Sequence, residues 1–489
     1  VTSTANESLL ILSDVHLGND LNDLTPAGVR RSALVDADLA NLLAHYRLSP
    51  CTGKRWRLVI AGDFIDFVGM SILPRDARIL ADANDEEREH GLGNSADHAA
   101  VKLTAVAERH RVVFDALADF VGAGHGLTLV HGNHDVEFHW DAVKEQFRDL
   151  LVDIASQRQG WTREATASHF ASRVEFAPWF YYVGGVAYVE HGHQYDTLCS
   201  TEHIMAPLSP ADPERIARSF SDVLLRWVVR PTQGIPEYGH ERMGVLDYIW
   251  LGVGLGAGGV VRLLMRFVAA VVELFRMRRA HLRAHLSGAA QTLRAEHERR
   301  MAALALRTRI GIERLRALAA LQAPPVTLSV PKILASVLLD RIAVGAVGIA
   351  ALAVVAIAGR HHVWPWPVFG AIAAGWLGMH RYLTVQRKAW FGEKLDNDAL
   401  LVERAGHLAR LFPAAFVVMG HTHTPAMVSI AQGAATYVNV GSWHEAEATS
   451  SETFRAARTH LVIHPNDAGP RAEFLAWSAE GPQRFPGAT

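Results

Sequence analysis

The sequence predicts a layered α/β fold with its chemistry at one sheet edge. Three observations predict it. Five short apolar runs each end in a polar cluster rich in Asp, Asn and His. The runs are continuously apolar, as strands buried on both faces are. Helical patterns over 32–45 and 99–120 separate the first of them. The chain's 489 residues leave room for a sizeable core and a further module. Its 49% apolar and 20% charged composition excludes a disordered or collagen-like chain.

In chain order, 9–13 reads as a buried strand ending at Asp14-Val15-His16. The run 57–61 precedes Gly62-Asp63-Phe64-Ile65-Asp66, and 127–130 precedes Gly132-Asn133-His134-Asp135. The run 186–190 ends at His191, in Glu190-His191-Gly192-His193-Gln194-Tyr195-Asp196, and 415–419 ends at Gly420-His421-Thr422-His423. The acidic stretch 82–89 reads as a solvated loop, with a mobile lid as the alternative. The apolar run at 9–12 has no basic segment before it and is not read as a signal peptide. Two cysteines, Cys51 and Cys199, do not make a disulfide scaffold, and a reducing compartment is expected.

Residues 201–404 differ in kind and are read as a helical insertion between 1–200 and 405–489. They carry a net charge of +10, against −12 for the rest, within a whole-chain charge of −2. Over 276–320 there are 11 Arg against three Glu. A stripe of Leu282, Leu286, Ala290, Leu293, His297, Met301 and Leu304 predicts one continuous amphipathic helix there, packed on a partner or lying on a membrane. A linker follows at Ala323-Pro324-Pro325. Two uncharged runs, 342–359 and 363–379, then predict a transmembrane hairpin across 342–379, connected through Arg360-His361-His362. The apolar region 248–272 is interrupted by Arg262 and Arg266. A third crossing would also put Asp14 and His421 on opposite sides. That region is therefore expected to be interfacial, re-entrant or packed on protein, with the interfacial reading preferred.

Each polar cluster alone has a bland reading as a turn or cap. Five in order at strand ends do not, because imidazoles buried without partners are unfavourable. The set Asp14/His16, Gly62-Asp63 with Asp66, Gly132-Asn133-His134-Asp135, His191-Gly192 and Gly420-His421-Thr422-His423 resembles the calcineurin-like metallophosphoesterase family, over roughly 8–200 and 408–446. The resemblance implies a four-layer α/β/β/α sandwich with a two-metal site. It implies one divalent ion on Asp14, His16, Asp63 and His423, and another on Asp63, Asn133, His191 and His421, with Asp63 bridging. Mixed N/O ligation suits transition metals over calcium, with manganese first and iron or zinc as alternatives. Two such ions ~3.5–4 Å apart can activate a water and clamp phosphoryl oxygens. His134 matches the family histidine near the scissile bond, as proton donor or charge stabiliser. Asp135 is the first candidate to orient it and Asp66 the second; a turn or cap role competes for Asp66. His193 reads as a metal-neighbouring or substrate-contacting residue, and Trp443 and His444 as near the same edge or simply packed.

Part of the pattern, His191-Gly192 with Thr197-Leu198-Cys199 and Gly441-Ser442-Trp443-His444, is similar to bacterial UDP-2,3-diacylglucosamine pyrophosphatases. Those relatives typically carry Arg where His134 stands and lack so long an insertion. The expectation is a metal-dependent phosphodiester or pyrophosphate hydrolase acting on a lipid-linked substrate, with its catalytic part on the cytoplasmic side of a membrane. The alternatives are a soluble nucleotide phosphodiesterase and a catalytically silent membrane-anchored binding protein. The net −12 outside the insertion argues against a nucleic-acid partner. No oligomeric state is predicted.

Overall fold

Among the described residues, fourteen strands form the frame. The first eight are β1 (Glu7–Leu12), β2 (Arg55–Ala61), β3 (Gly126–Val130), β4 (Val174–Ala177), β5 (Phe180–Val183), β6 (Gly185–Glu190), β7 (Leu208–Ser209) and β8 (Asp212–Ile216). The rest are β9 (Ala414–Met419), β10 (Ala426–Ile430), β11 (Ala435–Asn439), β12 (Thr459–His464), β13 (Arg471–Ser478) and β14 (Gly481–Arg484). The structure, a computed structural model, describes residues 7–22, 26–49, 55–73, 77–232, 245–337, 339–359, 365–391, 397–444, 458–466 and 469–486. Cys51 and the Arg360-His361-His362 connection lie outside the described residues.

The architecture is mixed α/β. One sheet has the order β14-β13-β12-β1-β2-β3-β4, the second β10-β11-β9-β6-β5, and β7-β8 form a small hairpin. Strands β1 to β4 run parallel, and β12 joins β1 antiparallel. In the second sheet β6, β9 and β11 are parallel. All five runs expected as strands are strands, and they are the adjacent parallel ones of each sheet. Loops at the carboxyl ends of neighbouring parallel strands share one edge, which is where the site forms.

Period-2 alternation sends each strand's side chains to two cores. Leu9, Ile11, Val59 and Val130 of the first sheet meet Val189, Phe416, Val418 and Val438 of the second. On the first sheet's other face, Leu10, Leu58 and Leu127 pack with Leu39, Leu103, Leu117 and Phe147 of the flanking helices. On the second sheet's other face, Tyr188, Val417 and Tyr437 pack with Leu401, Leu408, Met301 and Leu304. The central strands β1, β2, β3, β6 and β9 are largely buried on both faces, which is why they read as unbroken apolar runs.

The 99–120 pattern is two helices, Ala96–Arg109 and Arg111–Gly122, broken at His110. Its ring is buried between Asp36 and Asp20, at 2.8 and 3.0 Å. The continuous helix expected across 276–320 is likewise broken. Gly288 takes a left-handed φ of 84° between helices Val245–Ser287 and Ala289–Thr308. The stripe splits with it: Ala290, His297, Met301 and Leu304 are buried, but Leu286 is 90% exposed. Met301 and Leu304 dock on the second sheet's outer face, so the second half of the stripe belongs to the α/β frame.

The acidic stretch is neither lid nor solvated loop. It holds helix Asp85–His90, capped by Asn84 and Glu87 in a reciprocal capping box. Glu86 pairs with Arg218 at 2.9 Å and Arg226 at 3.1 Å, and Glu87 pairs with Arg215. Part of the insertion's positive charge is thus spent on the first domain.

One described helical segment, Gly254–Ser287, is long and apolar enough to cross a membrane. One face, with Ala270, Val271 and Leu274, packs on Phe220, Val223, Val326 and Ile333. Val261, Leu264, Met265, Val268 and Val272 are exposed on another. Arg266 reaches the Pro231 carbonyl and Thr232 Oγ1, so protein groups receive the charge that interrupts this segment. Helices Leu339–Gly359 and Pro365–Phe391 pack on each other. At their closest approach a side chain on Gly348 would meet the Trp376 ring.

Candidate metal centre

Every residue expected at the site lies in a loop at the shared sheet edge. Asp14 and His16 follow β1, Asp63 and Asp66 follow β2, and Asn133, His134 and Asp135 follow β3. His191 follows β6, and His421 and His423 follow β9. Five of these, Asp14, His16, Asp63, His421 and His423, adopt left-handed backbone with φ between 51° and 72°. L-residues rarely take this conformation, and it persists only where surroundings impose it, typically at functional sites. Glycines allow the loops to close. A Cβ on Gly132 would lie 2.0 Å from Asp63 Oδ1, and one on Gly420 would lie 2.3 Å from Asp14 Oδ2.

Two donor sets converge. In the first, His423 Nε2 lies 3.0 Å from Asp14 Oδ1 and 3.3 Å from His16 Nε2. His16 Nε2 in turn lies 3.7 Å from Asp63 Oδ2. In the second, His191 Nε2 lies 3.1 Å from both Asp63 Oδ2 and Asn133 Oδ1. Asp63 belongs to both. His191 Nδ1 donates to the Ala61 carbonyl at 2.9 Å, which turns Nε2 toward the carboxylates. His421 is brought near, its ring 5.3 Å from that of His191. Its Nε2, however, faces Asp196 Oδ2 at 3.3 Å rather than Asp63.

The donor chemistry fits metal ions. Ligand atoms of Asp14, His16 and His423 lie within 4.8 Å of one another, as do those of Asp14, Asp63 and His191, and those of His16, Asp63 and His134. Asp14 Oδ1 is buried with no hydrogen-bond donor aligned on it. Burial pushes the Asp14 carboxyl up, but His423 and His191 outweigh this and hold it well below the usual carboxylate range. Asp63 is also held low: burial opposes ionisation, and His191 and His134 overcome it. Two buried carboxylates this close need compensating positive charge.

Beside these sets sits His134. Its amide donates to Asp63 Oδ1 at 2.9 Å and its Nδ1 faces Asp66 Oδ1 at 2.7 Å. Burial alone would depress the imidazole, but Asp66 and Asp63 raise it to about 10. Asp66, not Asp135, is therefore the carboxylate on His134, reversing the order expected from sequence. Asp135 accepts from the amides of Phe64 at 2.8 Å and Gly132 at 2.6 Å. Those bonds tie two site loops together, and Asp135 is turned away from His134 to make them. Asp66 also takes the Gly69 amide at 2.7 Å, so the turn role and the histidine contact coexist.

Sequence reasoning missed two participants, Arg230 and Asn19, and singled out a third, Asp196, without giving it a role. Arg230, buried after the π-helical turn Leu225–Val229, reaches from the insertion to Asp66 Oδ2 at 3.2 Å and Asn19 Oδ1 at 2.9 Å. Asn19 also faces His444 Nε2 at 3.3 Å. Asp196 accepts from Asn397 and the Leu198 amide while facing His421. No local pattern marks Arg230 or Asn19; Asp196 stood in a His-rich segment and was findable. Trp443 and His444 do reach the edge, where their amides and Ser442 Oγ hold the Asp14 carbonyl. His193 lines a small cavity with Asn133, Cys199 and Asp222.

Compared with known proteins, the chain matches no family model and no curated protein sequence.

Proposed function

We propose that the chain is a calcineurin-like metallophosphoesterase, a four-layer α/β/β/α sandwich that hydrolyses a phosphodiester or pyrophosphate bond in a lipid-linked substrate. One observation carries the reading. Asp14, His16, Asp63, Asn133, His191 and His423 crowd their nitrogen and oxygen donors into one buried sheet edge, four of them on left-handed backbone. The three cores, each between a sheet face and its neighbour, support the layered part.

In this reading Asp14, His16, Asp63 and His423 hold one divalent transition-metal ion, and Asp63, Asn133 and His191 hold a second. His421 would turn from Asp196 to complete that second set. Bound there, such ions, with manganese expected first, would polarise the phosphoryl group and lower the pKa of an attacking water. The protein groups do the rest. Asp63 spans both donor sets, as only a two-oxygen ligand can. Asp66 orients the His134 ring through Nδ1 and keeps it protonated, so Nε2–H can protonate the leaving oxygen. Arg230 fixes Asp66.

The lipid part rests on the apolar surface. Helix Gly254–Ser287 meets the length and composition for a membrane span, and its exposed stripe points away from the protein. The hairpin helices expose Val347, Ile349, Val354, Ile357 and Trp366. Contiguous exposed apolar surface of this kind marks a membrane or partner contact. Positive flanks at 276–316 and 381–388 favour a cytoplasmic catalytic side.

The test is turnover by the full chain in detergent with Mn²⁺, then after chelation. The substrates are a lipid-linked pyrophosphate, its deacylated analogue and an aryl phosphodiester. Chelator-sensitive turnover with the acylated substrate fastest is expected. No turnover by metal-loaded protein on any of them would overturn the hydrolase reading. Equal rates on acylated and deacylated forms would overturn the lipid part.

A further inference from the structure

We infer that Glu202, His281 and His285 form a separate transition-metal site, binding one zinc-class ion, that fastens the end of the long apolar helix to the loop after β6. His281 and His285 stand one turn apart near the end of helix Val245–Ser287. Their Nε2 atoms face each other at 2.8 Å. Two imidazole lone pairs at that distance repel, so a proton or a cation must lie between them. Zinc–nitrogen bonds of ~2.0–2.1 Å bring cis nitrogens to about 3 Å, close to this separation. Two histidines four apart on one helix face are a recurrent zinc-chelating arrangement.

Glu202 supplies the oxygen donor. One ligand atom from each of the three residues lies within 4.8 Å of the other two. His297, nearby, is committed elsewhere: its Nδ1 accepts the Met205 amide at 3.3 Å. His281 is buried, while Glu202 and His285 reach the surface. A cavity of about 290 Å³, lined by Glu202, His203, His281, Arg218 and Arg276, gives an ion its entry path. Three protein ligands with an open position suit zinc or cobalt better than calcium or magnesium.

The placement gives the ion a role. Glu202 lies six residues after Asp196, whose carboxylate faces His421, so the ion would tie the helix to the segment that carries Asp196. The site stands independently of the two-ion reading above, and its test keeps them apart. Zn²⁺ is titrated into full-length wild-type, His285→Ala, Glu202→Gln and Asp63→Ala proteins against a competing chromogenic chelator. The expected result is one equivalent that survives in Asp63→Ala and weakens at least 100-fold in His285→Ala and roughly tenfold in Glu202→Gln. His285 is exposed, so its loss leaves the fold in place, and the circular dichroism spectrum checks this. Unchanged zinc stoichiometry and affinity in His285→Ala would overturn the site, whatever Asp63→Ala does. If His285→Ala does not fold, Co²⁺ replaces it as probe in the wild type: a cobalt d–d spectrum unaltered by Glu202→Gln would overturn the site.

Discussion

Arg230 Nη2 lies 3.2 Å from Asp66 Oδ2, while Asp66 Oδ1 lies 2.7 Å from His134 Nδ1. One carboxylate thus joins an arginine of the insertion to the histidine beside the donor sets. Burial would raise the Asp66 carboxyl, but His134 and Arg230 outweigh it and hold it far below the usual range. The insertion thus reaches the candidate site, and under the proposed hydrolase function it would be part of the catalytic apparatus as well as an apolar appendage. Replacing Arg230 by Ala is expected to lower kcat roughly ten- to a hundredfold, below the 10²–10⁴ that a lost general acid costs. KM and metal content should stay near wild type, and Arg230→Lys should recover part of the rate. A change confined to KM would mean that Arg230 binds substrate instead.

Asp66 and Asp135 should separate cleanly. Asp66→Asn leaves the turn but removes the anion on His134, so turnover falls by roughly 10²–10⁴, and stability falls too because the buried Arg230 loses its carboxylate. Asp135→Ala strands the amides of Phe64 and Gly132. At about 1–3 kcal/mol for each buried unsatisfied donor, a loss of roughly 2–6 kcal/mol is expected in denaturant unfolding. Turnover in Asp66→Asn as high as in folded Asp135→Ala would contradict the division of labour.

Metal content and turnover should also part company. Asp63→Ala removes the carboxylate assigned to both donor sets, so both bound metal and activity should be lost. His134→Ala should keep the metal and lose turnover. Elemental analysis beside the rate measurement checks both, and full metal retention with normal rates in Asp63→Ala would remove the bridging assignment.

Much of this site was legible because its signals are local. A continuous apolar run followed by Gly-Asp, Gly-Asn-His or Gly-His-Thr-His records a buried strand and the loop that closes over its end. What was illegible depended on sums or on distance. The +10 of the insertion looked like lipid affinity, yet Arg215, Arg218 and Arg226 pair with Glu86 and Glu87, 128 or more residues away. Net charge cannot distinguish a membrane face from a domain interface. The Leu282 to Leu304 stripe kept helical spacing across Gly288, where the left-handed turn redirects the chain. His110 broke a helix for a reason in other segments, since its two carboxylates come from Asp20 and Asp36.

That histidine predicts a pH dependence. His110 Nε2 lies 3.0 Å from both Asp20 Oδ1 and the Gly18 amide, and Nδ1 lies 2.8 Å from Asp36. The Gly18 amide points its N–H at Nε2, but two carboxylates outweigh one amide dipole and favour the imidazolium. Burial would depress it, but Asp20 and Asp36 raise it to about 9. A folded value above the unfolded one of ~6.5 adds stability that is fully present below pH ~6.5 and lost as pH rises through about 9. The contribution is on the order of 3 kcal/mol. Wild type should lose this stability between those pH values and His110→Gln should not; parallel curves would mean that the pair is neutral in the folded state.

The exposed stripe on helix Gly254–Ser287 makes the last prediction. Val261, Leu264, Met265, Val268 and Val272 recur at steps of three and four, and Met265 is 67% exposed. The opposite face, with Ala270, Val271 and Leu274, is already packed on protein. A helix held on one side and apolar on the other can lie in the headgroup boundary with its stripe in the acyl layer. Each such side chain taken out of water contributes about 1.5–3 kcal/mol, enough for several together to hold this face in lipid. A fluorophore on Met265→Cys, in a chain with Cys51→Ser and the buried Cys199 kept, should blue-shift on adding anionic vesicles. Lipid-borne spin labels should quench it. The same label on Arg316→Cys, exposed on helix Ile312–Ala319, should do neither. A label at 265 that stays water-like while the protein pellets with vesicles would assign attachment to the 339–391 hairpin and leave the stripe to a protein partner.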